Sequence, residues 1–269
     1  MHRTTCGGRS RRTISICWSA WRPRSASPSR TRGCTRNCSS SARWSAIPSF
    51  PGYAFGDYYE SALKVGGDYF DYIALPNGRV AVAIGDVAGK GIPAALLMAR
   101  LYSSARFHLL TQAGVAEAIA GLNAEFASSA LGFRFITFVA AVLDPATHEI
   151  TIGNAGHLAP LLRRHDGKVD IIGKTDSGMP LGVNPQEVFR EVKVTLAPGE
   201  MLTLYTDGIT ESMNAKNKIY GRERLSTFLA NAPIDAAKTV HGVVSDVEKF
   251  CAGRSQRDDM CLVCVARCE

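Results

Sequence analysis

Four short acidic segments hold the residues of this chain best suited to chemistry: VGGDYFD (Val65 to Asp71), AIGDVAGKG (Ala83 to Gly91), LYTDGITE (Leu204 to Glu211) and RDDMCLVCV (Arg257 to Val265). Three of them place an aspartate at the edge of an apolar run, and the first places one beside a glycine pair. An aspartate where a strand meets a loop can aim its carboxylate into a shared cleft while the strand fixes its backbone. Carboxylates that converge without partners repel one another and suffer desolvation. Divalent cations remove that penalty. Hard cations such as Mg²⁺ and Mn²⁺ take oxygen ligands in octahedral geometry, and the candidate set is oxygen-only: Asp68, Asp86, Asp207 and Asp258, with a backbone carbonyl. With two ions roughly 3.5–4 Å apart, a bridging water becomes hydroxide near neutral pH and can attack phosphorus in line. A metal-dependent hydrolase is the first expectation.

Competing chemistries fit less well. Any one of these acids taken alone reads as structural, and Asp207-Gly208 alone reads as a turn. The stretch Asp86 to Gly91 suggests a phosphate-gripping loop but lacks the GxxxxGK[ST] spacing. Cys261-x-x-Cys264 invites a zinc or redox reading. The segment MCLVCVARC reads as a strand, however, in which residues three apart face opposite ways, and no second cysteine pair or paired histidine accompanies it. The cysteines are therefore expected to be small core residues in a reduced cytosol.

The chain has 269 residues, 46% of them hydrophobic and 20% charged, enough apolar material for a substantial core. It contains no apolar run long enough to span a bilayer as a helix. The net charge of +7 is unevenly placed: residues 1 to 50 hold ten arginines and no lysine, aspartate or glutamate, which leaves 21 basic against 24 acidic side chains over residues 51 to 269. The basic segment also contains all three tryptophans. It suits neither a nucleic-acid arm, which would be polar and lysine-containing, nor a transit peptide, which would form an amphipathic helix. Its composition is what a GC-rich gene yields in the wrong frame, so residues 1 to 50 are expected to be a disordered or mistranslated tail. Residues 51 to 269 are expected to form the functional domain.

Elements that could position the acids follow in order. YAFGDYYESA and GGDYFDYIAL read as strands, PNG as a tight turn, and RVAVAIGDV as a buried strand. A helix is expected over IPAALLMARLYSSARFHLL, with Leu96, Leu97, Leu101 and His108 or Leu109 at core spacing and Pro93 in the first turn; a second follows Gly114. Strands FRFITFVAAVLD, HEITIGNA, HLAPLLRR and KVDII come next, then a Gly- and Pro-rich loop, and then FREVKVTL and EMLTLYTD joined by the turn APGE. Two helices, around Gly221 to Asn231 and Asp235 to Phe250, lead to the last strand. The pattern predicts an α+β fold of two stacked, mainly antiparallel sheets with helices outside.

Taken together and in order, VGGDYFD, GDVAGKG with IPAALLMA, NAGH to Pro160, GMPLG (Gly178 to Gly182), LYTDGITE and DDMCLVCV resemble the PPM (type 2C) metal-dependent serine/threonine phosphatases, in the SpoIIE/RsbU-like bacterial branch. The resemblance covers Pro51 to Val265. It implies a four-layer α-β-β-α sandwich with Mn²⁺ or Mg²⁺, two ions, in a cleft at one edge of the sheets. By that resemblance Asp86 bridges both metals beside the Val87 carbonyl, and Asp207 and Asp258 are later ligands. Asp68 holds the second metal, with Asp86 and Asp207 catalytic through metal-bound water. Gly67, Gly208 and Asp259 support the ligands. Lys64 stands nearest to where type 2C enzymes place a substrate-binding arginine. His157 is expected to be structural, shaping the hairpin near the site. The family's bacterial members dephosphorylate phosphoserine or phosphothreonine on anti-sigma-factor antagonists, so a cytoplasmic signalling phosphatase is implied. A homodimer, and a regulatory N-terminal domain missing or lost, are further expectations; neither nucleic acid nor a membrane span is expected. The alternative is a catalytically weak or inactive binding module with the same fold.

Overall fold

The computed structural model describes residues 49–128 and 134–268; expectations for residues 1–48 lie outside the described residues. Among the described residues ten strands form two five-stranded sheets in which every strand pairing is antiparallel. One sheet has the order β1 (Tyr53–Glu60), β10 (Met260–Arg267), β9 (Met201–Tyr205), β6 (Leu161–Arg163), β7 (Val169–Ile171). The other runs β2 (Tyr69–Ala74), β3 (Val80–Val87), β4 (Ile136–Asp144), β5 (Glu149–Ala155), β8 (Glu191–Thr195). Helices α1 (Ile92–Thr111) and α2 (Val115–Ala127) cover the second sheet, and α4 (Arg222–Ala230) and α5 (Ala236–Cys251) cover the first; α3 (Asp207–Thr210) is a single turn.

Alternation along the strands builds the layers, since successive side chains leave a strand on opposite faces. On β3, Val80, Val82 and Ile84 pack between the sheets while Ala81 and Ala83 meet α1 and α2. On β10, Cys261, Val263 and Val265 join the inter-sheet core, whereas Leu262, Cys264 and Ala266 pack under α5. Both strands are therefore buried on two faces and read as continuous apolar runs. Cys261 and Cys264 are free, buried and on opposite faces, so no single zinc ion or disulfide can join them within the chain. The α-β-β-α sandwich is the fold observed.

One local expectation changes, and two turns gain detail. The helix α1 is apolar on more than one side, and its buried stripe is Ala94, Met98, Leu101, Ala105 and Leu109; Leu96 is 67% exposed. The turn APGE joins strands of different sheets, because β8 edges one sheet and β9 lies at the centre of the other. Pro76–Gly78 forms a 3₁₀ turn with Asn77 at φ 62°. Asp71, from the first acidic segment, points away from any cleft: fully buried beneath α1, it pairs with Arg106 Nε at 2.6 Å and Nη2 at 2.8 Å. That two-pronged pair fixes α1 onto β2. Among the described residues no helix is long and apolar enough to cross a membrane.

Candidate metal centre

Register places the acids before any side-chain chemistry is invoked. Tyr69 pairs with Gly85 across β2 and β3, so Asp68, one step before β2, stands opposite Asp86 near the end of β3. Tyr205 pairs with Leu262 across β9 and β10, and Thr206 N–H donates to the Cys261 carbonyl at 3.0 Å. Asp207 and the loop Asp258-Asp259 consequently lie side by side at the same end. Each sheet thus delivers a pair of acids, and stacking the sheets brings the pairs together.

Their electrostatics record the proximity. Asp68 is 4% exposed, and its Oδ2 has no hydrogen-bond partner among the described residues. Burial, then the charge of Asp86, raises its pKa well above the usual carboxylate range, against a hydrogen bond from Thr206. The Asp86 carboxyl is raised by burial and by Asp258, and shares a hydrogen bond with Asp68. Asp207 is pushed up to about 6 by burial, Asp86 and Asp258. Such mutual displacement in a cluster marks a candidate functional site. It also fits a hard cation: the donors are all oxygen, one buried oxygen is unpartnered, and positive charge would relieve every shift. Among the described residues no three acids, cysteines or histidines are drawn into a closed coordination shell. Lys90 Nζ instead binds Asp258 Oδ2 at 2.9 Å and the Arg257 carbonyl at 2.7 Å, which raises the Lys90 pKa.

Supporting contacts fix the loops. Asp259 Oδ2 accepts from Gly67 N–H at 2.6 Å, and its Oδ1 accepts from Ala62 N–H at 2.8 Å, so it ties the segment leading to Asp68 onto β10. A Cβ on Gly208 would collide with the Asp259 carbonyl; only glycine lets the first turn of α3 approach that strand. Val87 ends β3, buried beside Gly67, whose added Cβ would lie 3.2 Å from the Val87 carbonyl. Lys64 lies exposed on the preceding loop and makes no hydrogen bond or ion pair among the described residues. A cavity of about 370 Å³ opens beside Asp258, lined by Glu60, Gly208, Glu211, Glu248, Arg254 and Arg257 among others.

His157 does more than shape its hairpin. Asn154 spans its backbone, accepting from His157 N–H at 2.8 Å and donating to its carbonyl at 3.1 Å. The buried ring donates Nε2–H to the Tyr205 carbonyl at 3.1 Å, which leaves Nδ1 to accept from Thr137 Oγ1 at 2.8 Å. Thr137 pairs with Asp86 in the sheet, and Tyr205 lies two residues before Asp207. The histidine therefore clips one sheet's acids to the other's, and burial lowers its pKa to about 4, keeping it neutral. Lys90, Thr137 and Thr206 were not expected at the site; the only signal for Lys90 was its place in GDVAGKG.

Known proteins give this arrangement a lineage. The chain is 27% identical over 252 residues to the protein IcfG of Synechocystis, a match covering 82% of this chain and 39% of that protein. It is 27% identical over 169 residues to the phosphoserine phosphatase RsbU of Bacillus subtilis, covering 61% and 49% respectively. It thus spans less than half the length of these curated relatives. The PP2C phosphatase domain and regulatory fragment of SpoIIE from Bacillus subtilis superpose with a TM-score of 0.68 at 20% identity, over 80% of this chain and 63% of that one, which is a likeness of fold. Residues 76–267 match the family model for stage II sporulation protein E (SpoIIE), and the chain belongs to that family.

Proposed function

We propose that this chain is a metal-dependent protein serine/threonine phosphatase. The observation that carries the reading is the convergence of Asp68, Asp86, Asp207 and Asp258 from two sheets, with the carboxyls of Asp68, Asp86 and Asp207 raised by burial and by the neighbouring carboxylates. Asp86, between Asp68 and Asp258, would be shared by two ions with the Val87 carbonyl at its side; Asp207 and Asp258 would hold one ion and Asp68 the other. Mn²⁺ or Mg²⁺ bound there would neutralise the cluster, polarise the phosphoryl oxygens and supply an activated water. The protein's own work is positional. Asp259 orders the loop before Asp68, Gly208 admits Asp207 against β10, and His157 holds the two sheets in register at the site. The phosphoserine phosphatases RsbU and RsbP among its relatives support a phosphoserine or phosphothreonine protein as substrate. An anti-sigma-factor antagonist is the partner type that reading implies.

The test is Mn²⁺-dependent release of phosphate from a phosphoserine protein and from a chromogenic phosphate ester, against Asp86→Ala. Turnover no higher than that variant, across a range of divalent metals, would sink the proposal. A binding module is the second reading, favoured by the Lys90–Asp258 pair standing where a cation would enter. Calorimetric titration separates the two: this module would take up no Mn²⁺.

A further inference from the structure

Resting on the phosphatase reading, we infer that Arg134 is the residue that grips the substrate's phosphoryl group. A phosphate monoester is a dianion at neutral pH, and beside an acid cluster neutralised by bound metal a cation outside the cluster would add a second, directional hold on it. Two other bases near the cleft are poorly placed. Lys90 is directed inward onto Asp258 and the Arg257 carbonyl. Lys64 stands on an exposed loop and makes no hydrogen bond or ion pair with an acid among the described residues.

Arg134 is positioned by the sheet itself. The ladder between β3 and β4 continues one step past β3, where Ala88 N–H donates to the Phe135 carbonyl at 2.9 Å. The residue before Phe135 therefore lies alongside Gly89, in the loop that joins Asp86 and Val87 to Lys90. A Cβ built on Gly89 would lie 3.6 Å from Arg134 Nε, so the guanidinium rests over that loop. The side chain is exposed and makes no hydrogen bond or ion pair with any described residue. Arg100, Arg106, Arg164 and Arg224, by contrast, each hold a carboxylate. A guanidinium with its donors free presents the fork that matches two phosphoryl oxygens.

The experiment titrates inorganic phosphate into the Mn²⁺-saturated full chain by calorimetry, with Arg134→Ala, Arg134→Lys and Arg257→Ala beside it, and titrates Mn²⁺ alone into each. Charge-assisted, bidentate contacts of this kind carry roughly 10- to 100-fold in affinity. Arg134→Ala is expected to weaken phosphate binding at least about 10-fold with Mn²⁺ affinity within about 2-fold, Arg134→Lys to recover part of the loss, and Arg257→Ala to bind phosphate as the parent does. Unchanged phosphate affinity in Arg134→Ala overturns the inference, as does a parent chain that takes up no phosphate. An equal loss in Arg257→Ala also overturns it, because that would report only summed surface charge. The readout needs no turnover, so failure of hydrolysis against Asp86→Ala is read separately.

Discussion

Replacing Asp207 by asparagine should make the metal-free protein more stable while abolishing its response to Mn²⁺. The Asp207 carboxyl sits at about 6 rather than 3.8 because burial, Asp86 and Asp258 oppose its ionisation. At 1.36 kcal/mol per tenfold change in proton affinity, ionising it at pH 7.5 costs the fold up to roughly 3 kcal/mol. The side chain is only partly buried, so solvent screening reduces this to about 1–2 kcal/mol. A raised carboxyl favours the folded state while it is protonated. That contribution is whole below pH 3.8 and is lost as the pH climbs through about 6. Asparagine has no such loss. For a domain of this size, 1 kcal/mol moves Tm by roughly 2–4 °C, so Asp207→Asn should melt about 2–8 °C above the parent at pH 7.5 with chelator present. The gap should close toward pH 4.5. Differential scanning fluorimetry across pH 4–8 reads it, and because the comparison is between two proteins, titrating groups remote from Asp207 cancel. With Mn²⁺ the parent should rise in Tm and the variant should not. A gap that does not change with pH, or a variant less stable than the parent at pH 7.5, would refute the electrostatic account.

Other outcomes follow from individual contacts. Removing the ring in His157→Ala breaks both of its links between the sheets and should cost about 2–4 kcal/mol in urea unfolding, with Mn²⁺ affinity falling as well. In the parent, burial lowers the His157 pKa from 6.5 to about 4; stability should therefore be complete above pH 6.5 and decline as pH falls toward 4, a decline that His157→Gln flattens in chemical denaturation. Gly208→Ala drives a methyl into the Asp259 carbonyl and should lower Tm by several degrees and abolish Mn²⁺ uptake by calorimetry. Lys90→Met frees Asp258 from a pair that is about half exposed on each side; since such pairs contribute about 0–1 kcal/mol, Mn²⁺ should bind up to about fivefold more tightly.

What the sequence made legible was the part fixed by local chemistry. Aspartates at the ends of apolar runs marked Asp68, Asp86, Asp207 and Asp258, and the two-residue period of a strand separated Cys261 from Cys264 onto the faces where they are found. Local patterns failed where the answer lay across the fold. Helix α1 carries apolar residues around most of its circumference, so periodicity could not choose Met98 over Leu96 for the core. The turn APGE is legible from its residues, yet nothing in a turn specifies that its two strands belong to different sheets. Contacts such as Lys90 with Asp258, or His157 with Tyr205, join segments dozens to more than a hundred residues apart, and no spacing rule reaches them.

The strands supply pairs of acids cheaply, because two-residue register sets Asp68 opposite Asp86 and Asp207 beside Asp258 without reference to the rest of the molecule. Only the packing of one sheet on the other turns two pairs into one cluster, and that packing works against their repulsion. The inter-sheet core of Phe70, Ile84, Leu204 and Val263 and the neutral His157 clip hold the acids close, while Asp68 and Asp207 resist in proportion to their raised carboxyls. A cation that relieves the repulsion is therefore bound partly by energy already stored in the fold. Mn²⁺ affinity and metal-free stability should consequently move in opposite directions when an acid is neutralised, and in the same direction when the clip or the core is weakened.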